Sequence, residues 1–94
     1  PINDFDNSLY FNSYVYPNPV SNRSAIYFPN LKSLSKYNLK LEIVDVLGRP
    51  INLKYKYNEG SFSFSSTNLK PGIYFYQILI DNRFLSDGQF SITK

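Results

Sequence analysis

The sequence predicts an all-β, antiparallel sandwich or barrel, and three observations carry that expectation. Apolar and aromatic residues recur at alternate positions in several short runs, the pattern of half-buried strands. Those runs lie about 8–12 residues apart, with Gly, Pro, Asn and Asp between them. No long stretch repeats its apolar residues at the helical spacing of about 3.6.

Taken in order, residues 1–13 hold Asn, Asp and Ser with scattered aromatics and no period, so they read as a linker or the end of an upstream region, or as a loosely attached first strand. The regular pattern, and with it the domain, runs from 14 to 94. Tyr16-Pro17-Asn18-Pro19 is stiff and excludes a helix, because each proline fixes φ and restricts the residue before it. Leu31 to Tyr37 reads as one turn of helix or a Ser-rich loop. Leu39 to Ile43 alternates, and Val44 and Val46 then shift the apolar set to the other parity, which predicts a bulge or burial on both faces. Ile51 to Tyr57 is the cleanest alternation in the chain and reads as one strand. Ser61 to Ser65 places both Phe on one face. Ile73 to Ile80 is nearly all apolar, as a central strand would be. Phe84 to Ile92 closes the series, interrupted at Asp87-Gly88. Turns are expected at Leu47-Gly48-Arg49-Pro50, Asn58-Glu59-Gly60, Asn68 to Gly72 and Asp81-Asn82-Arg83, where Gly and Asn supply positive φ and Pro presets it.

Composition narrows the function. The 94 residues contain no Cys, Met, His or Trp. That removes a zinc site of the usual nitrogen or sulfur ligands, a His base and a Cys nucleophile, so no catalysis, cofactor or metal is expected. A chain that starts Pro1-Ile2-Asn3 and lacks Met is expected to be the end, or a module, of a longer protein. A net charge of +3 permits anionic partners without identifying one. Nine Tyr and eight Phe make up 18% of the chain and are expected to fill the core.

Each local pattern with a chemical reading has a structural one beside it. Lys54-Tyr55-Lys56-Tyr57 mixes bases and rings as nucleic-acid sites do, but in a strand the two Lys point one way and the two Tyr the other. No nucleic-acid partner is expected. Tyr14, Tyr16, Tyr27, Tyr37, Tyr74 and Tyr76 are candidates for stacking on sugars, against their use as core. Glu42, Asp45, Glu59, Asp81 and Asp87 fall mostly in or beside turns, without an apolar setting to raise a pKa for acid catalysis. Asp81 and Asp87 are expected to stabilise the turns they occupy. Asn22-Arg23-Ser24 fits the N-glycosylation acceptor pattern, one short enough to arise by chance.

Three signals have no local chemical role: Tyr16-Pro17-Asn18-Pro19, Leu69-Lys70-Pro71-Gly72-Ile73-Tyr74, and the ending Gly88-Gln89-Phe90-Ser91-Ile92-Thr93-Lys94. Together with the Leu47-Gly48-Arg49 hairpin they occur in an order that resembles the type A C-terminal sorting domains of the type IX secretion system, from about Tyr14 to Lys94. The candidate recognition residues in these motifs are Tyr16, Pro17, Asn18 and Pro19; Gly48 and Arg49; Gly72 and Tyr74; and Gly88, Gln89, Phe90 and Lys94.

The resemblance implies an immunoglobulin-like β-sandwich of about seven antiparallel strands. It implies an address that directs an upstream cargo, in the same chain, across the outer membrane of a Gram-negative bacterium. The partners it implies are the translocon and its outer-membrane β-barrel shuttle. In many members a sortase-like cysteine protease removes the domain and joins the cargo to a surface lipopolysaccharide, so the route runs through the periplasm to the cell surface or the medium. Residues 1–13 hold no distinctive cleavage signature. The competing expectation is a carbohydrate-binding or adhesive β-sandwich appended to a secreted enzyme.

Overall fold

The computed structural model describes residues 12–28 and 38–93. Its strands are β1 (Tyr14–Tyr16), β2 (Arg23–Tyr27), β3 (Leu39–Asp45), β4 (Pro50–Ile51), β5 (Tyr55–Asn58), β6 (Ser61–Ser65), β7 (Gly72–Ile80) and β8 (Arg83–Ile92). They form two four-stranded antiparallel sheets, one ordered β1-β2-β6-β5 and the other β4-β3-β7-β8. That order is the immunoglobulin arrangement with one short strand added beside β3. Against the expected count of about seven, the described residues form eight strands, because the two-residue β4 forms its own pairing.

The two inner faces enclose one core. Phe62 and Ile26 of the first sheet and Ile78, Ile80, Leu85 and Phe90 of the second are almost wholly buried. Phe64 and Phe90 meet across the sheets with ring centroids 5.2 Å apart, and Phe90 stacks on Tyr74 at 5.7 Å. Phe64, Phe90 and Tyr74 thus supply interdigitation between the sheets, but Tyr14, Tyr16, Tyr55, Tyr57, Phe75 and Phe84 are exposed, so only part of the aromatic content fills the core.

Four local expectations are corrected. Ile51 to Tyr57 is not one strand: β4 belongs to the second sheet and β5 to the first, and the chain crosses between them at residues 52–54. The alternation survives the crossing because Ile51 and Leu53 pack on the core rim, and Tyr55 and Tyr57 then lay their rings on Phe62. Period two reports which side faces inward, not which sheet a residue belongs to. Second, β3 keeps its register on β7 from Leu39 to Asp45, and Val46 lies beyond it in a turn. The bulge lies elsewhere, at Ile78/Leu79, where β8 carries Leu85 as the extra residue. Third, Asp87 and Gly88 do not interrupt the last strand, since β8 is continuous through both. Fourth, Asp87 therefore occupies a strand, while Asp81 does lie in the β7–β8 turn, where its Oδ1 accepts from the Asn38 N–H at 2.9 Å. Asp81 and Asn82 have φ of 49° and 67°, the paired positive values of a two-residue hairpin turn. The reading of Leu31 to Tyr37 lies outside the described residues.

Candidate functional site

Strand register brings the four motifs toward one end of the sandwich. Gly72 opens β7 opposite Ile92 near the close of β8. Asp45, the last residue of β3, pairs with Tyr74, so the β3–β4 turn lies at that end too. Val20 pairs in parallel with Ile92. Val20 and Ile92, 72 residues apart in sequence, thus become neighbours.

The Tyr16-Pro17-Asn18-Pro19 segment carries the chain from one sheet to the other. Tyr16 ends the pairing of β1 with β2, and four residues later Val20 lies along β8. The Val20 N–H donates to Ser91 O at 2.7 Å, and the Thr93 N–H donates to Val20 O at 2.8 Å. Asn18 extends this seam, its Oδ1 accepting from the Ser91 N–H at 3.1 Å. Pro17 O accepts from the Ser24 hydroxyl at 2.7 Å. Both X–Pro bonds here are cis. The side chain of Val20 is fully buried, whereas Tyr16 and Pro19 face solvent.

The Leu47-Gly48-Arg49 turn is clamped by Asp45. Its Oδ1 accepts from the Leu47 and Arg49 N–H groups, both at 2.9 Å, and its Oδ2 accepts from Arg49 Nε at 2.8 Å. The Gly48 N–H donates to Asp45 O, and Gly48 takes φ +81°, a conformation L side chains rarely adopt. The Asp45 pKa lies below the ordinary carboxylate value. The Arg49 backbone N–H is the largest cause; partial desolvation opposes it, and the Arg49 guanidinium and the Leu47 N–H lower it further. Val46 and Leu47, at the tip, are 63% and 73% exposed.

Leu69 to Tyr74 builds the corner into β7. Leu69 is buried, Gly72 adopts φ +149°, and the hydroxyl of the buried Tyr74 donates to Lys70 O at 2.7 Å. This matches the tyrosine corner of immunoglobulin-like sandwiches, a Tyr near the start of the penultimate strand bonded back to its own loop. An open cleft separates this loop from the β3–β4 turn, lined by Val46, Leu47, Arg49, Pro50, Lys70 and Ile73 among others.

In the last motif Gly88 lies mid-strand beneath the ring of Tyr76. A Cβ there would sit 2.5 Å from the Tyr76 hydroxyl oxygen. That hydroxyl shares a 2.6 Å hydrogen bond with Ser13 Oγ, which is 2.7 Å from Ser86 Oγ. Phe90 is core and Gln89 is exposed. Lys94 lies outside the described residues, as do residues 1–11 of the expected linker.

The other candidates disperse. Tyr74 and Tyr76 are buried with their hydroxyls engaged, and Tyr14 stacks on Tyr27 at 5.2 Å. Tyr37 lies outside the described residues. Lys40 pairs with Glu42 at 3.4 Å. Among the described residues no three His, Cys, Asp or Glu side chains gather as a metal site would require. Sequence reasoning missed Ser24 and Asp45 as organisers of this end, and Ser13 as the partner of Tyr76 and Ser86 away from it; Asp45, four residues before an Arg across a Gly turn, carried the only signal that could have been read.

A family model described as a secretion system C-terminal sorting domain matches residues 14–90. No curated protein matches the chain.

Proposed function

The chain belongs to the family of secretion system C-terminal sorting domains, those of type IX secretion, and from that premise we propose that residues 14–94 address an upstream cargo by presenting one end of a folded sandwich to the secretion machinery. The family is one of sorting signals and not of enzymes, and its signal implies export to the cell surface or the medium of a Gram-negative bacterium. In this reading the translocon and its β-barrel shuttle contact the domain in the periplasm, and a sortase-like cysteine protease acts on the segment before Tyr14.

The observation that supports it is the convergence of the motifs. Pro17, Asn18, Gly48, Gly72, Tyr74 and Phe90 are occupied in building this end, and Gly88 in seating the Tyr76 ring farther along the strand. Tyr16, Pro19 and Gln89 remain exposed on or beside it. The β8 edge also continues past the seam: strand alternation turns the backbone groups of Asp87 and Gln89 the same way as those of Ser91, available to a partner strand. Lys94 completes the proposed contact set.

The test is a fusion. The whole chain is placed after a fluorescent cargo with an ordinary signal peptide, in a host with a working type IX system. Fluorescence at the surface or in the medium, lost in a translocon mutant, is the expected result. Cargo retained in the periplasm with the domain folded would refute the sorting role. Replacing Gln89 and Lys94 at unchanged melting temperature then asks whether the terminal strand is a contact or only a structural member.

A further inference from the structure

We propose that the cleft between the β3–β4 turn and the β6–β7 loop binds an acidic segment of a partner protein that also carries an apolar anchor. The proposal rests on the sorting reading and specifies the chemistry of the ligand.

Three observations converge on it. First, the tip is apolar without any structural need. In Leu47-Gly48-Arg49, Gly48 supplies the positive φ and Arg49 bonds to Asp45, but Leu47 is 73% exposed and its neighbour Val46 63% exposed. Turn tips ordinarily carry polar residues, and nothing in the core uses these two side chains. Second, the tip is held in place. Both oxygens of Asp45 and its backbone carbonyl accept hydrogen bonds from residues 47–49, and the Asp45 N–H donates to Arg49 O. A fixed apolar projection loses little freedom on binding, which is how preorganised contacts gain affinity.

Third, the surroundings are apolar and basic. Pro50, Pro71 and Ile73 continue the apolar lining, and Ile73 is 47% exposed. Lys70 lines the same cleft, and Lys54 lines an adjoining one that shares Pro50, Ile51, Asn68 and Leu69. Neither Lys has an ion pair among the described residues. Among the described residues the only acid lining either cleft is Asp45, which Arg49 already neutralises. Unpaired cations beside a preformed apolar cleft are complementary to carboxylates flanking an apolar side chain. The concave shape suits a polypeptide segment better than a flat lipid surface.

Export of the cargo fusion described above supplies the readout. Val46→Ser with Leu47→Ser removes the apolar tip, and Lys70→Glu alone reverses the charge. These side chains are exposed, so melting temperatures should stay at the parental value, and Lys70→Glu serves if the tip variant melts low. Each variant is expected to lower export at least tenfold, the effect of losing one central contact. Lys70→Arg should restore it, and Lys56→Glu on the other sheet should change it less than twofold. Export of both cleft variants within twofold of the parent overturns the proposal and leaves the sorting role standing. A parent fusion that is itself retained overturns both. Sedimentation or anionic-vesicle binding that the tip variant abolishes would assign the cleft to a second copy or to lipid, and would overturn it as well.

Discussion

Replacing Gly88 with Ala is expected to be among the most damaging single-methyl additions in the domain. The new Cβ would lie 2.5 Å from the Tyr76 hydroxyl oxygen and 2.7 Å from two ring carbons. Ordinary carbon contacts are about 3.5–4.0 Å, so the ring must move by about 1 Å. It has nowhere to go, being 3% exposed and packed against Phe90. The move also pulls its hydroxyl from Ser13 Oγ, now 2.6 Å away. Overpacking of this kind costs about 1–3 kcal/mol, and a broken hydrogen bond about 1 kcal/mol more. The sum, about 2–4 kcal/mol, should lower the melting temperature by about 8 °C or more at about 4–8 °C per kcal/mol. Urea unfolding followed by circular dichroism measures it directly. The same substitution made beside Tyr76→Leu should cost far less, with a coupling of about 1.5 kcal/mol or more. A Gly88→Ala domain within about 0.5 kcal/mol of the parent, or an equal cost in both backgrounds, would refute the account of this glycine.

Other expectations follow from the same end of the sandwich. Tyr74→Phe should lose about 1 kcal/mol by freeing Lys70 O from its hydroxyl, read from the urea midpoint at unchanged slope. Asn18→Ala should speed hydrogen exchange at the Ser91 amide, which loses its acceptor, while amides of β3 keep their protection. Asp45 titrates below its ordinary value in the folded domain, so its contribution is complete above the unfolded value near 3.8 and is lost as pH falls through the folded one. The stability difference between the parent and Asp45→Asn should therefore be constant at neutral pH and shrink below about pH 4.

Much of the architecture was legible because strands alternate and turns use few residue types. Ser61 to Ser65, with both Phe inward, and the Asp81-Asn82 hairpin are local facts, and local patterns specify them. What failed was non-local. Ile51 to Tyr57 keeps its alternation while changing sheets, and nothing in period two marks that crossing. Gly88 resembles a turn residue in sequence, yet it is a mid-strand vacancy for a ring that approaches from the neighbouring strand. The candidate site shows the same division. Tyr16 to Pro19 could be read as stiff and non-helical, but the bonding of Asn18 to Ser91, and of Val20 to Ser91 and Thr93, joins segments with no common local signature. The tyrosine corner is compact in sequence, so its residues stand out there, whereas the exposure of Leu47 is visible only once the tip is built.

The seam at Val20 gives the sandwich a clasp that can be closed only by its last strand. One side of the clasp is translated among the first residues of the domain, and the other, Ser91 to Thr93, almost at its end. A polypeptide cut short anywhere between leaves the early side unpaired and Val20 without the strand that covers it. A product that stops short of Ser91 therefore cannot close this clasp, however well its earlier strands pair.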